Sequence, residues 1–152
     1  MPTPKKSKTT PIVTDRGYAE FIRSLDLRGI GLKACSSTLD RGTFFRLSNK
    51  GKPLQRLKEE YRLVQMGLDF FDAEGRFELT VSSKEGDKPA LAVECIFTAH
   101  IHAAEPVSKE FAKRFAESEL WIVMLPYGRY FITDITTRMS IPPIMIPLAA
   151  RR

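Results

Sequence analysis

Cysteine is scarce in this chain, and the two present, Cys35 and Cys95, lie far apart in sequence. That spacing excludes a disulfide framework or a metal-ligand pair, and strand-like surroundings predict two buried free thiols acting as small hydrophobes. Long apolar runs are also missing. None approaches the roughly 18 to 20 residues needed to cross a bilayer, and the N-terminus MPTPKKSKTTP lacks a secretory signal's apolar stretch. The expected location is the cytoplasm. No glycine-rich phosphate loop, serine elbow or catalytic-cysteine context is found, which argues against an enzyme. Histidine is limited to His100 and His102, placed at i and i+2 on one strand face with Glu94 and Thr98. Spacing supplies no third ligand, so neither a metal nor another cofactor is expected.

What is present suits one domain. The chain has 152 residues, 43% of them hydrophobic, enough for a single packed core. Residues 1–14 combine prolines, lysines and threonines and read as a disordered basic tail, leaving a single domain over 15–150. The net charge of +6 is concentrated at the ends, where Lys5, Lys6, Lys8, Arg151 and Arg152 carry five of the charges. Between the ends, residues 41–62 hold seven basic residues against two acidic ones, and residues 63–105 hold three basic against eight acidic. The molecule is polarised more than it is basic.

Along the chain, Tyr18, Phe21, Ile22 and Leu25 have the spacing of a short amphipathic helix, with Asp15 placed to cap it. A first strand is expected over residues 27–39. A long connection, RGTFFRLSNKGKPLQRLKEE, then interleaves apolar and basic residues. Period-two alternation predicts three further strands, through Val64–Phe70, Phe77–Val81 and Leu91–Ile101, with turns at DAEG (72–75) and KEGDKP (84–89). Asp69, Glu78 and Glu94 fall on the polar side of these strands and predict an acidic outer face.

After Pro106, Ser108 is placed to cap a helical stretch containing Phe111 and Phe115. A second piece runs from about Ser118 to Met139. Leu120 to Leu125 are apolar in every direction around a helix, which a lone surface helix cannot satisfy. Leaving Trp121, Ile122, Met124 and Leu125 in water would cost about 1.5 to 3 kcal/mol per large side chain, so a second subunit is expected over them. Beyond Pro126, the side chains of Tyr127, Phe131 and Ile135 extend the same interface at i+4 spacing. The prolines of IPPIMIP are expected to hold an extended exit.

The order of elements and the stretch LPYGRYFITDITTRMSIPPIMIPLA (125–149) resemble the SecB family of export chaperones, at Leu125, Pro126, Tyr127, Arg129, Ile132, Ile135, Arg138, Pro142 and Pro147. The resemblance implies an α+β fold: a four-stranded antiparallel sheet with a crossover between its first two strands, packed on a long C-terminal helix. It implies a homotetramer, a dimer of dimers with the helices sandwiched between sheets. The implied activity is ATP-independent holding of unfolded polypeptides, for delivery to the Sec export pathway. By position, it places a client groove at Phe44, Phe45, Leu47, Leu54, Leu57, Tyr61 and Trp121. It makes Asp69, Glu78 and Glu94 a docking face for the SecA motor. Some family members serve one client, such as an antitoxin, and the chain's end at Arg152 leans that way. A single-stranded nucleic-acid-binding module, resting on the basic 41–62 connection, is the rival reading.

Overall fold

The computed structural model describes residues 15–146. The basic tail of residues 1–14 and the end of the chain from Pro147 lie outside the described residues. Four strands and four helices form an α+β fold in the order α1 (Asp15–Arg23), β1 (Leu25–Leu39), α2 (Arg41–Lys50), β2 (Leu54–Met66), β3 (Phe70–Ser82), β4 (Leu91–Ala103), α3 (Lys109–Ser118) and α4 (Leu120–Arg138). The strands make one antiparallel sheet with spatial order β1-β4-β3-β2. The crossover between the first two strands is therefore present: the connection from β1 to β2, containing α2, spans the sheet.

The expected long connection contains two elements. Its first half is α2, capped by Asp40, whose side chain accepts from the Thr43 backbone N–H at 3.1 Å. Its second half is the start of β2. Leu57, Tyr61 and Leu63 alternate with Lys58, Glu60 and Arg62, and the inward set is half-buried. The period of two was already in the sequence, but charge on every second residue masks it.

Of the two expected turns, KEGDKP (84–89) does join β3 to β4, but the other differs. DAEG is not a turn; it lies inside β3, where Asp72, Ala73, Glu74 and Gly75 all pair with β4. The β2–β3 turn falls at residues 67–69, dividing the expected Val64–Phe70 strand, and the Gly67 N–H donates to the Phe70 carbonyl at 2.9 Å. A register shift between Leu63 and Gln65 leaves Val64 without a cross-strand partner, and such bulges break the alternation that sequence reasoning follows. Gly75 is needed for a close approach rather than for turning. A Cβ there would stand 2.5 Å from the Met124 sulfur.

The core lies between the sheet and α3 and α4. β4 alternates strictly, with Leu91, Val93, Cys95, Phe97, Ala99 and Ile101 buried inward. From α4, Leu120, Met124, Leu125, Gly128, Ile132 and Thr136 turn toward this face. At Gly128 the helix comes so near the sheet that a Cβ would lie 2.7 Å from the Phe77 ring. α3 is capped by Ser108, and α1 closes over it, with Tyr18 and Phe111 ring centroids 5.6 Å apart and Phe21 and Phe71 6.2 Å apart. Asp15 is the first helical residue of α1.

No residue of β1 is fully buried, and Leu27 and Leu32 are exposed on the inward face. This overturns the expectation of two buried thiols. Cys95 is buried, which pushes its thiol up to about 12, but Cys35, its cross-strand partner, is exposed.

Candidate functional site

At Ser140, which adopts a left-handed φ of 57°, the chain turns back after α4. The extended segment that follows lies against the helix. Its Ile144 N–H donates to Thr136 Oγ1 and its Ile144 carbonyl accepts from Thr133 Oγ1, each at 3.3 Å. Ile141, Ile144 and Ile146 are buried, while Met145 is 67% exposed. The prolines explain the extended form, since they restrict the residue before them and donate no hydrogen bonds.

Two adjoining clefts run beside this segment. One, of about 360 Å³, lies between Phe44 and Ser48 of α2, Gln55 of β2 and Pro142–Met145. The other, of about 350 Å³, lies between Leu57 of β2, Leu79 of β3 and Ile144–Ile146. Gln55, Ile144 and Met145 border both, so together they form one groove with mainly apolar walls. Arg41 ties the walls together: its guanidinium donates to the Met139 carbonyl at 2.6 Å, joining the start of α2 to the end of α4.

Of the residues expected in a groove, Phe44 and Leu57 line this one. Leu54 borders a separate, polar cleft with Arg56 and Glu85. Phe45 is exposed on α2, with its ring edge-on to Phe44, and Leu47 is half-buried against the core. Tyr61 packs edge-on against Phe77, and Trp121 on α4 donates its Nε1–H to the Ser118 carbonyl. Neither Tyr61 nor Trp121 lines the groove. The outer wall, Pro142 to Ile146, was visible in the sequence as an apolar run, but nothing in its pattern showed that it folds back beside α2.

The expected interface residues on α4 divide in two. Met124 and Leu125 are buried within the chain against the sheet, which corrects their assignment to contacts between subunits. Ile122 and Tyr127 are exposed, Ile122 at 56%, and Trp121, Phe131 and Ile135 are half-buried; Tyr130, which is not among the expected residues, is 76% exposed beside them. α4 therefore satisfies one side within the subunit and leaves an apolar stripe outside.

The outer sheet face is not the acidic patch that alternation implies. Glu78 and Glu94 stand opposite each other on β3 and β4, with Arg76 beside both, at 2.5 Å from Glu94 and 3.4 Å from Glu78. Lys58 pairs with Glu60 at 2.8 Å. Glu74, only 3% exposed, is held by Lys33 from β1 and by Arg62 from β2, the latter at 2.8 Å. Burial tends to raise the Glu74 pKa, but hydrogen bonds from these two cations prevail and hold it below its ordinary value. Asp69 lies in the β2–β3 turn, off this face. The basic 41–62 region is largely committed as well: Arg41, Arg46, Arg56, Lys58 and Arg62 all have partners within the fold.

No family model matches this sequence, and no curated protein matches it. The structure is similar to a Mycobacterium tuberculosis SecB-like chaperone solved in complex with a ChAD peptide from an antitoxin. The match has a TM-score of 0.73 at 16% identity and covers 90% of this chain and 99% of that one. This chain has the SecB-like fold. A protein of unknown function from Streptococcus agalactiae is more distant, with a TM-score of 0.43 at 8% identity over 82% of this chain and 97% of its own. The SecB-like fold accounts for the crossover through α2 and for the long helix α4 against the sheet. Among the described residues, no helix is long and apolar enough to cross a membrane.

Proposed function

We propose that this protein is an ATP-independent chaperone that holds extended, non-native polypeptide in the groove between α2, the β2–β3 end of the sheet and residues 141–146. The observation that carries this reading is the groove itself, open, mainly apolar and edged by an exposed methionine, within a SecB-like fold. An unbranched, polarisable methionine adapts to many apolar side chains, which suits a surface that must accept varied sequences. Holding needs no nucleotide, because burying the client's apolar side chains supplies the binding free energy.

The working unit in this proposal is a cytoplasmic homotetramer. The exposed stripe of Ile122, Tyr127 and Tyr130 on α4 and the uncovered inward face of β1 are the surfaces that association would bury. Among clients, a dedicated partner such as an antitoxin is favoured over general delivery to the Sec pathway. The M. tuberculosis structure holds an antitoxin peptide, and two of the three expected SecA contacts here, Glu78 and Glu94, are engaged by Arg76.

The test is suppression of aggregation of a slowly refolding protein, followed by light scattering without nucleotide. Met145→Glu and Gln55→Glu place charge on exposed groove positions without disturbing the core. The parent should suppress aggregation at an equimolar ratio of tetramer to client, and the double variant should lose most of that effect. No suppression by the parent, or equal suppression by the variant, would overturn the proposal.

A further inference from the structure

His100 and His102 sit on the outer face of β4, at the opposite end of the sheet from the groove's opening beside Leu79 and Val81. They are the only histidines in the chain. Their Nε2 atoms converge to 3.1 Å. The Nδ1 atom of His100 faces the carboxylate of Asp72, its cross-strand neighbour on β3. Phe70, opposite His102, packs its ring near both imidazoles, with centroids 5.4 Å from His100 and 6.1 Å from His102. On the other flank, His100 stands opposite Gly29, where a Cβ would meet nothing within 4 Å. One side of the pair is thus packed, and the other is open.

From this arrangement we propose that His100 and His102 form an open site for a borderline divalent cation such as Zn²⁺, with Asp72 as a positioning residue. Two imidazole nitrogens bound to one tetrahedral Zn²⁺ at about 2.0–2.1 Å stand roughly 3.4 Å apart, so the observed pair needs only a few tenths of an ångström of adjustment. A carboxylate accepting from Nδ1–H fixes the tautomer whose Nε2 lone pair is free for a metal. In the metal-free pair, one Nε2 carries the hydrogen that the other accepts. On binding, the ion takes that place and His102 carries its hydrogen on Nδ1, so two neutral imidazoles bind without losing a proton. Among the described residues, no cluster of three or more His, Cys, Asp or Glu side chains converges on such a point. Water therefore completes the shell. Asp26, the cross-strand neighbour of His102 on β1, adds negative charge beside the site, although it is paired with Arg28 at 3.0 Å.

Isothermal titration calorimetry of Zn²⁺ into the chelator-stripped full chain at neutral pH tests the site. The expected result is one equivalent per chain, lost in His100→Ala and in His102→Ala and weakened by about 10–100-fold in Asp72→Asn. Cys35→Ser, which removes the exposed thiol, should bind as the parent does. The thermal midpoint of the parent, and not of His102→Ala, should rise with Zn²⁺. Absence of binding by the parent, binding retained in the His100→Ala/His102→Ala double variant, or loss of binding in Cys35→Ser would overturn the site. Unaltered affinity in Asp72→Asn would overturn the role given to the carboxylate.

Discussion

Glu74 shows how one residue joins three strands. Its carboxylate sits on β3, out of water, and takes cations from strands on either side of β3 on the same face of the sheet, Lys33 reaching over β4 and Arg62 coming from β2. Because its folded pKa lies below its ordinary value, the unfolded chain binds the extra proton first as pH falls. The stabilisation is therefore complete above the unfolded value and is lost as pH drops through the folded one. Glu74→Gln should flatten the decline of the thermal midpoint as pH falls through and below the ordinary glutamate value of 4.5, relative to the parent, followed by circular dichroism. Equal slopes would show that the buried carboxylate contributes nothing to acid sensitivity. Glu74 also explains why a turn was expected in the wrong place. Asp, Glu and Gly in DAEG match turn chemistry, yet Asp72 meets His100, Glu74 meets two cations and Gly75 makes room for Met124, all of them partners distant in sequence.

At the scale of elements, α4 carries the most information. Gly128 lets it approach the sheet until the Phe77 ring occupies the space of a Cβ. Gly128→Ala should accordingly cost about 1–3 kcal/mol through forced displacement of the helix or the ring, measured by urea unfolding, although alanine is the better helix former. A net gain in stability would mean that the approach is loose. The opposite side of α4 is the exposed stripe. Ile122→Asp and Tyr130→Asp leave the subunit core intact, and should convert the proposed tetramer to smaller species in multi-angle light scattering; an unchanged mass would remove α4 from the interface. The same substitution at Met124 or Leu125 would test only folding, since both point inward. The all-round apolar character of residues 120–125 was legible in the sequence, but which residues turned inward depended on the angle at which α4 lies on β3 and β4.

At the scale of the whole molecule, the groove brings together α2, β2, β3 and the segment after α4. Its floor residues Leu57 and Leu79 are cross-strand partners, and its outer wall comes from more than 80 residues further along the chain than Leu57. The sequence by itself determined four strands and a long final helix, because periodicity and capping are local consequences of backbone geometry, while the α+β arrangement with its crossover was implied by the family resemblance of residues 125–149. It also identified the apolar segments that had to be covered. Only the tertiary structure decided that Arg41 pins the end of α4, that Pro142–Ile146 folds back beside α2, that cations neutralise the outer face, and that two histidines converge beside an aspartate. Those features depend on strand register and on contacts between residues far apart in the chain. A shift of one residue in a strand exchanges its faces, so no local pattern could have fixed them.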